Sequence, residues 1–386
     1  MSLEPSDAAV EARLEADLRS RPTDVSLHIQ LANLRWLRGL GDQSMLWIER
    51  AIEEFPGDLK LRLVAADLLR KADCAERALA ILFEGLRLAP ESAAFLTSIG
   101  VVLDGLRRPT EALLYLRNAV ARAPHSASAR RNLMVTLLRV GEPSEALALV
   151  NELSASAPDD QQLIAYRATA LRMLDDPCYR QLHDYERLVR SYRLQPSARF
   201  ESLKEFNRIF AKELRLLHRW QQRPLEQSLR GGTQTGNNLP RDNPVIAAFF
   251  AMLDGPVRDY IARLDHSRDH PTDRRKCSAY RISGSWSVRL CPGGFHLNHV
   301  HPMGWLSSAY YVDVPHELDR APSKEGQLKF GEPDLPMPGC TADHFVAPEA
   351  GMLVLFPSYL WHGTVPFRNG EQRLTAAFDV VPDGGP

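Results

Sequence analysis

Residues 91–124 read ESAAFLTSIGVVLDGLRRPTEALLYLRNAVARAP. An apolar face recurs at Leu96, Ile99 and Leu103, breaks at Arg107-Arg108-Pro109, and resumes at Ala112, Leu116 and Ala119. That spacing predicts a helix, a turn and a second helix within one unit. Pro124 closes the unit, and Pro22, Pro56, Pro90, Pro124 and Pro158 stand 34 residues apart. A fixed period of this length marks a solenoid, in which each unit buries its apolar face against the next. Small residues follow the same period. Gly100 and Ala112 have counterparts in Ala66 and Ala78 of the preceding unit, and Ala112 in Ala146 of the following one. These are positions where two helices approach too closely for a large side chain.

The period and the Gly/Ala positions resemble the tetratricopeptide repeat, over residues 22 to about 174. The family's usual Trp and Tyr positions are substituted, and the first unit is the most degenerate. The resemblance implies a right-handed superhelix whose concave groove holds a peptide or a partner protein. A repeat array that only dimerises, or buttresses a second domain, is the alternative. The organisation expected from the sequence is an N-terminal helix or cap over 1–21, repeats over 22–175, a helical connector with a Gly-rich loop over 176–275, and a β-rich domain over 276–386.

Composition narrows the function classes. The chain has 386 residues, 44% of them apolar and 25% charged, which suits folded domains and excludes disordered and disulfide-scaffold classes. A net charge of −1 offers no basic excess for nucleic acid or an anionic membrane. No apolar run reaches the length of a transmembrane helix, and Met1-Ser-Leu-Glu-Pro lacks the apolar stretch of a secretory signal. Five scattered cysteines without a C-x-x-C pair read as reduced thiols, so a cytoplasmic location is expected.

The connector loses the 34-residue period. Asp184 to Leu217 is amphipathic and reads as two helices parted at Pro196, and Pro244 to Leu264 reads as a helix broken or kinked at Gly255-Pro256. Between them, the polar, Gly-rich stretch 227–238 reads as a loop, either a lid or a substrate-facing strand entry, or a plain connection. It is no phosphate loop, since no G-K-[ST] closes it.

After Cys277 the apolar period shortens to two. Strands are predicted at Tyr280–Ser283, Trp286–Leu290, Ser308–Val314, Gln327–Phe330, Met352–Phe356 and Leu374–Val381. Many short strands separated by Gly/Pro turns argue for a sandwich, jelly roll or barrel. Six of the twelve histidines fall between His296 and His362. His299 and His301 are separated by one residue, so on an extended chain their imidazoles share a face and can converge on one ion. His362 follows the apolar run Met352–Phe356, and Arg373 comes eleven residues after it.

The passages Gly294-Phe-His-Leu-Asn-His-Val-His-Pro, Leu306-Ser-Ser-Ala-Tyr-Tyr-Val, Phe356-Pro-Ser-Tyr-Leu-Trp-His and Arg373-Leu-Thr together resemble the 2-oxoglutarate- and Fe(II)-dependent oxygenases over roughly 278–382. Repeats joined to such a domain are also similar in architecture to the aspartyl/asparaginyl β-hydroxylases. The resemblance implies a double-stranded β-helix (jelly roll), Fe(II) and 2-oxoglutarate as cosubstrate, O2 as co-reactant, and hydroxylation of a peptide, protein or amino-acid-like substrate presented by the repeats. Carried over by position, the metal ligands are His299, His301 and His362. The wider superfamily has a carboxylate where this chain has His301, so the site lacks the usual ligand charge and also suits Zn, Cu or Ni. His296 is the alternative ligand. Arg373 is expected to pair with the distal carboxylate of 2-oxoglutarate. Thr375 on the same strand face can donate to that carboxylate, and Tyr310, with Ser308 and Trp286, is a candidate to line the pocket. Two other readings stand: a non-catalytic scaffold with a degenerate jelly roll, and a three-His dioxygenase of cupin type that needs no 2-oxoglutarate.

Overall fold

The computed structural model describes residues 7–383, apart from 221, 223, 226, 317, 319–322 and 369. The chain divides into two compact units, one of residues 1–149 with 220–227 and one of 150–219 with 228–386.

The N-terminal half is a tetratricopeptide-like array of paired helices. They include Val25–Leu37, Leu46–Glu54, Leu59–Lys71, Ala75–Leu88, Ala93–Gly105, Pro109–Arg122, Ala127–Arg139 and Pro143–Ser156, followed by Gln161–Met173. The periodic prolines lie two residues ahead of a periodic capping position. The carboxylates of Asp24, Asp58 and Asp160 and the hydroxyl of Ser126 accept from backbone N–H groups of the following first turn, which satisfies donors that a helix start leaves free. A second device has the same period. Gly39, Asp73, Arg107, Gly141 and Asp175 all adopt positive φ, between 53° and 84°. Each is the left-handed residue that turns the first helix of a pair into the second. The expected close approach is present: a Cβ on Gly100 would stand 2.5 Å from Leu116 Cγ.

The second unit holds two antiparallel sheets. Its strands are β1 (Arg190–Arg193), β2 (Leu229–Gln234), β3 (Tyr280–His296), β4 (Leu306–Asp313), β5 (Leu328–Phe330), β6 (His344–Val346), β7 (Met352–Pro357), β8 (His362–Thr364) and β9 (Arg373–Pro382). One sheet has the order β1-β7-β4-β9-β3-β2 and the other β6-β5-β8. Every strand expected after Cys277 is present, the first two as one long strand. Parity along β9 divides the large sheet. Leu374, Ala376, Phe378 and Val380 pack with Tyr310, Leu353 and Leu355 against Phe206, Phe210, Phe249 and Leu253 of the helices Leu203–Leu217 and Pro244–Arg263. Arg373, Thr375 and Ala377 face a pocket on the other side.

The connector departs from the helical expectation. Within Asp184–Leu217 there is one helical turn, Tyr185–Leu188, then β1, and only then a helix from Leu203. The helix Pro244–Arg263 runs through Pro256 unbroken. The stretch read as a loop contains β2, an edge strand paired with β3. Its glycines carry the pairing: a Cβ on Gly232 would lie 2.2 Å from the Arg289 carbonyl, and one on Gly294 would lie 2.3 Å from the Gly231 carbonyl. No helix among the described residues is long and apolar enough to cross a membrane.

Two buried histidines make the fold pH-sensitive. His218 joins Thr233 of β2 (2.9 Å) to Ser287 of β3 (3.0 Å), and burial, aided by Arg289, pushes it down to about 4. His183 stacks on Tyr179, has no partner at Nδ1, and is pushed by burial to about 3. Below the ordinary value of 6.5 the unfolded chain takes up protons that the folded protein does not. Stability is therefore expected to fall as pH drops from 6.5 toward 4, by up to about 1.4 kcal/mol per pH unit for each group. Denaturant titrations of the metal-free protein at pH 7.5 and 5 check this. Equal or greater stability at pH 5 contradicts it.

Candidate metal centre and its pocket

The two sheets enclose a pocket lined by Trp286 and Val288 of β3, Tyr311 of β4, Leu328 of β5, Phe356 of β7, Thr364 of β8 and Thr375 of β9. His296, His299, His301, His362 and Arg373 also line it. The expected strand through His299 and His301 is a single antiparallel bridge. His299 N–H donates to the His362 carbonyl (2.9 Å), and His362 N–H donates back to the His299 carbonyl (3.1 Å). His301 N–H donates to the Ser358 carbonyl at 3.0 Å. The same-side geometry expected of residues i and i+2 survives, with the rings of His299 and His301 stacked at 5.2 Å.

One nitrogen from each of His299, His301 and His362 lies within 4.8 Å of the others. Hydrogen bonding decides which nitrogen. His299 Nδ1 sits 2.8 Å from the Leu297 carbonyl and His362 Nδ1 sits 2.9 Å from the Leu360 carbonyl. A carbonyl only accepts, so Nδ1 carries the proton in both rings. His301 Nδ1 faces both carboxylate oxygens of Asp379 at 2.7 Å, and its proton is placed in the same way. In His299 and His362 this leaves the lone pair on Nε2. Burial and the neighbouring His301 push His299 down to about 3, and burial holds His362 well below its ordinary value. With a third imidazole beside them at His301, the donor set fits a divalent transition metal ion.

His362 is delivered by a well-anchored segment. Tyr359 donates to the Leu182 carbonyl at 2.6 Å, and Trp361 Nε1–H donates to Thr169 on the helix Gln161–Met173. Tyr166 of that helix packs edge-on against Trp361 and donates to Asp334. Arg373 is 4% exposed. It donates to the Gly326 carbonyl (2.7 Å) and to Thr364 Oγ1 (3.2 Å), and its Nε has no partner. Tyr311 lies under the guanidinium at 5.7 Å. Among the described residues no carboxylate pairs with it, and burial lowers its pKa from 12.5. A buried guanidinium without an acid calls for an anionic ligand.

Residues 284–379 match the family model described as "Putative 2OG-Fe(II) oxygenase", and residues 105–169 match a tetratricopeptide-repeat model. Among solved structures the chain is similar to a tetratricopeptide-repeat protein of Thermus thermophilus, at 25% identity over 43% of this chain and 91% of that one, with a TM-score of 0.35. It is also similar to a Pseudomonas putida prolyl-4-hydroxylase, at 18% identity over 53% of this chain and 97% of that one, with a TM-score of 0.35. No curated protein matches it.

Within the matched stretch 284–379 the structure brings together His299, His301, His362, Arg373 and Thr375 around one pocket. Trp286 and Ser308 also reach its lining. His296 lines the pocket but stands outside the three-ring cluster, with Nδ1 on Ser228 Oγ at 3.1 Å. Tyr310 is a correction. It lies on the helix-facing side of β4, fully buried against Phe249, with its hydroxyl donating to Asn207. Its neighbour Tyr311 faces the pocket instead, because a shift of one position along a strand changes the face. Asp379 is the residue that sequence reasoning missed. The signal was available in the alternation of β9, since 373, 375, 377 and 379 share a face.

Proposed function

We propose that this protein is a 2-oxoglutarate- and Fe(II)-dependent oxygenase that hydroxylates a peptide, protein or amino-acid-like substrate. The observation that carries the reading is one pocket lined by three clustered imidazoles and by a buried guanidinium with no acid partner among the described residues. His299, His301 and His362 would hold Fe(II) through Nε2. Three neutral ligands leave the ion's charge uncompensated, and the two carboxylates of 2-oxoglutarate restore neutrality. Bound together, Fe(II) and 2-oxoglutarate supply O2 activation, with decarboxylation to succinate coupled to hydroxylation of a substrate C–H bond.

The chain's own share is binding, orientation and exclusion of water. Arg373 offers a planar pair of donors to the distal carboxylate, held in line by Gly326 and Thr364. Thr375 can add a hydroxyl. Val288, Leu328 and Phe356 keep the pocket wall apolar, which strengthens each of these contacts. The repeats are the surface we assign to a peptide or protein partner, and the free cysteines accord with a cytoplasmic setting.

Formation of succinate from 2-oxoglutarate tests the reading. Production that needs both Fe(II) and O2 is expected. Substrate oxidation without 2-oxoglutarate would favour the cupin-type alternative, and neither metal nor cosubstrate binding would leave a repeat scaffold.

A further inference from the structure

His301 differs from the other two candidate ligands in what holds it. Leu297 and Leu360 offer neutral carbonyls to His299 and His362. His301 has a carboxylate, with both Asp379 oxygens 2.7 Å from Nδ1. That carboxylate is itself fixed. Ser307 donates to Asp379 Oδ1 at 2.8 Å and lies 2.9 Å from Ser358 Oγ. The Ser358 carbonyl in turn accepts the His301 backbone N–H. Trp286 lies against the His301 ring at 5.5 Å. The ring is thus held at its backbone, its Nδ1 and its face.

We infer that Asp379 is a positioning residue of the metal centre, acting on the ion through His301. A three-imidazole site lacks the negative charge that a carboxylate brings to the two-His-one-carboxylate arrangement. Here the charge stands one hydrogen bond further out. Asp379 fixes the His301 proton on Nδ1, aims Nε2 at the ion and raises the donating power of that nitrogen. Asp379 is absent from the cluster of nitrogens close enough to share an ion, so its influence passes through the ring. The inference rests on the ligand assignment made under the proposed function.

The test measures Zn(II) affinity of the full-length protein by chelator competition, which needs no turnover. Asp379→Asn is expected to weaken binding by about ten- to a hundredfold. In a His301→Ala background the same substitution is expected to have no further effect, because its route to the ion is gone. An equal loss in both backgrounds overturns the inference and makes Asp379 either a structural residue or a direct ligand. Unchanged affinity in Asp379→Asn also overturns it. Should that variant fold poorly, 15N-resolved histidine spectra of the metal-free wild type decide the question. With the spectra recorded at a pH where the His301 ring is neutral, its proton on Nδ1 supports the inference and its proton on Nε2 overturns it. If the wild type binds no divalent metal, the ligand assignment itself fails. Metal that is lost in His362→Ala but retained in Asp379→Asn sinks the inference alone.

Discussion

His362→Ala is expected to abolish both metal retention and turnover. Loss of an outer partner of a metal-bound imidazole costs about ten- to a hundredfold in affinity, so loss of a ligand exceeds that range. His362 is also the most buried of the three rings, at 6% exposure, and is pinned by Leu360, by the His299 bridge and by the edge of Phe356. His296, the fourth histidine lining the pocket, has its Nδ1 on Ser228 Oγ at 3.1 Å. Alanine leaves the backbone bridge to His299 intact, so the fold is expected to persist. Metal content after desalting, measured alongside thermal unfolding, checks this. A folded His362→Ala protein that keeps wild-type metal content contradicts the assignment.

Arg373→Ala is expected to weaken 2-oxoglutarate without releasing the metal. A charge-assisted hydrogen bond to a buried carboxylate contributes about 1.5–3 kcal/mol, which corresponds to a rise of about 10–150-fold in the cosubstrate's KM. Lysine is not expected to restore it fully, since a single ammonium cannot match the planar fork. The substitution removes a buried cation that has no acid partner, so it leaves no orphan charge behind. The groups left without Arg373 are the Gly326 carbonyl and the Thr364 hydroxyl. Steady-state kinetics in 2-oxoglutarate at saturating Fe(II) measure the effect. A KM within about twofold of wild type contradicts the role.

Much of this architecture was legible in the sequence because its constraints repeat. The five prolines at 34-residue intervals announce the array, and the capping residues at Asp24, Asp58, Ser126 and Asp160 share their spacing. The turn was legible in one unit, at the break Arg107-Arg108-Pro109, but its left-handed residue was not, because Arg107 carries no signal for that backbone. β2 was legible only as one option for a Gly-rich loop, a strand entry, for a related reason. A strand whose pairing depends on missing Cβ atoms at Gly231 and Gly232 has no alternation to read. β1 is only four residues long, too short to interrupt the apolar period of its helical neighbours.

At the site, H-x-H spacing and the distal His were enough to place three rings around one point. The choice within Tyr310-Tyr311 was the weaker inference. Tyr310 was the candidate to line the pocket, and Tyr311 is the one that does. Carried to the end of β9, the alternation that joined Arg373 to Thr375 also reaches Asp379. This chain has His301 where the wider superfamily has a carboxylate, and the carboxylate of Asp379, 78 residues away along the chain, lies against that ring.

The central claim is that three imidazoles and Arg373 together hold a metal-chelated 2-oxoglutarate. Anaerobic titration of the full-length protein with Fe(II) and 2-oxoglutarate tests it most directly. The account predicts a visible metal-to-ligand charge-transfer band that requires both components and is absent in His362→Ala. Fe(II) binding without any such band on addition of 2-oxoglutarate would contradict it.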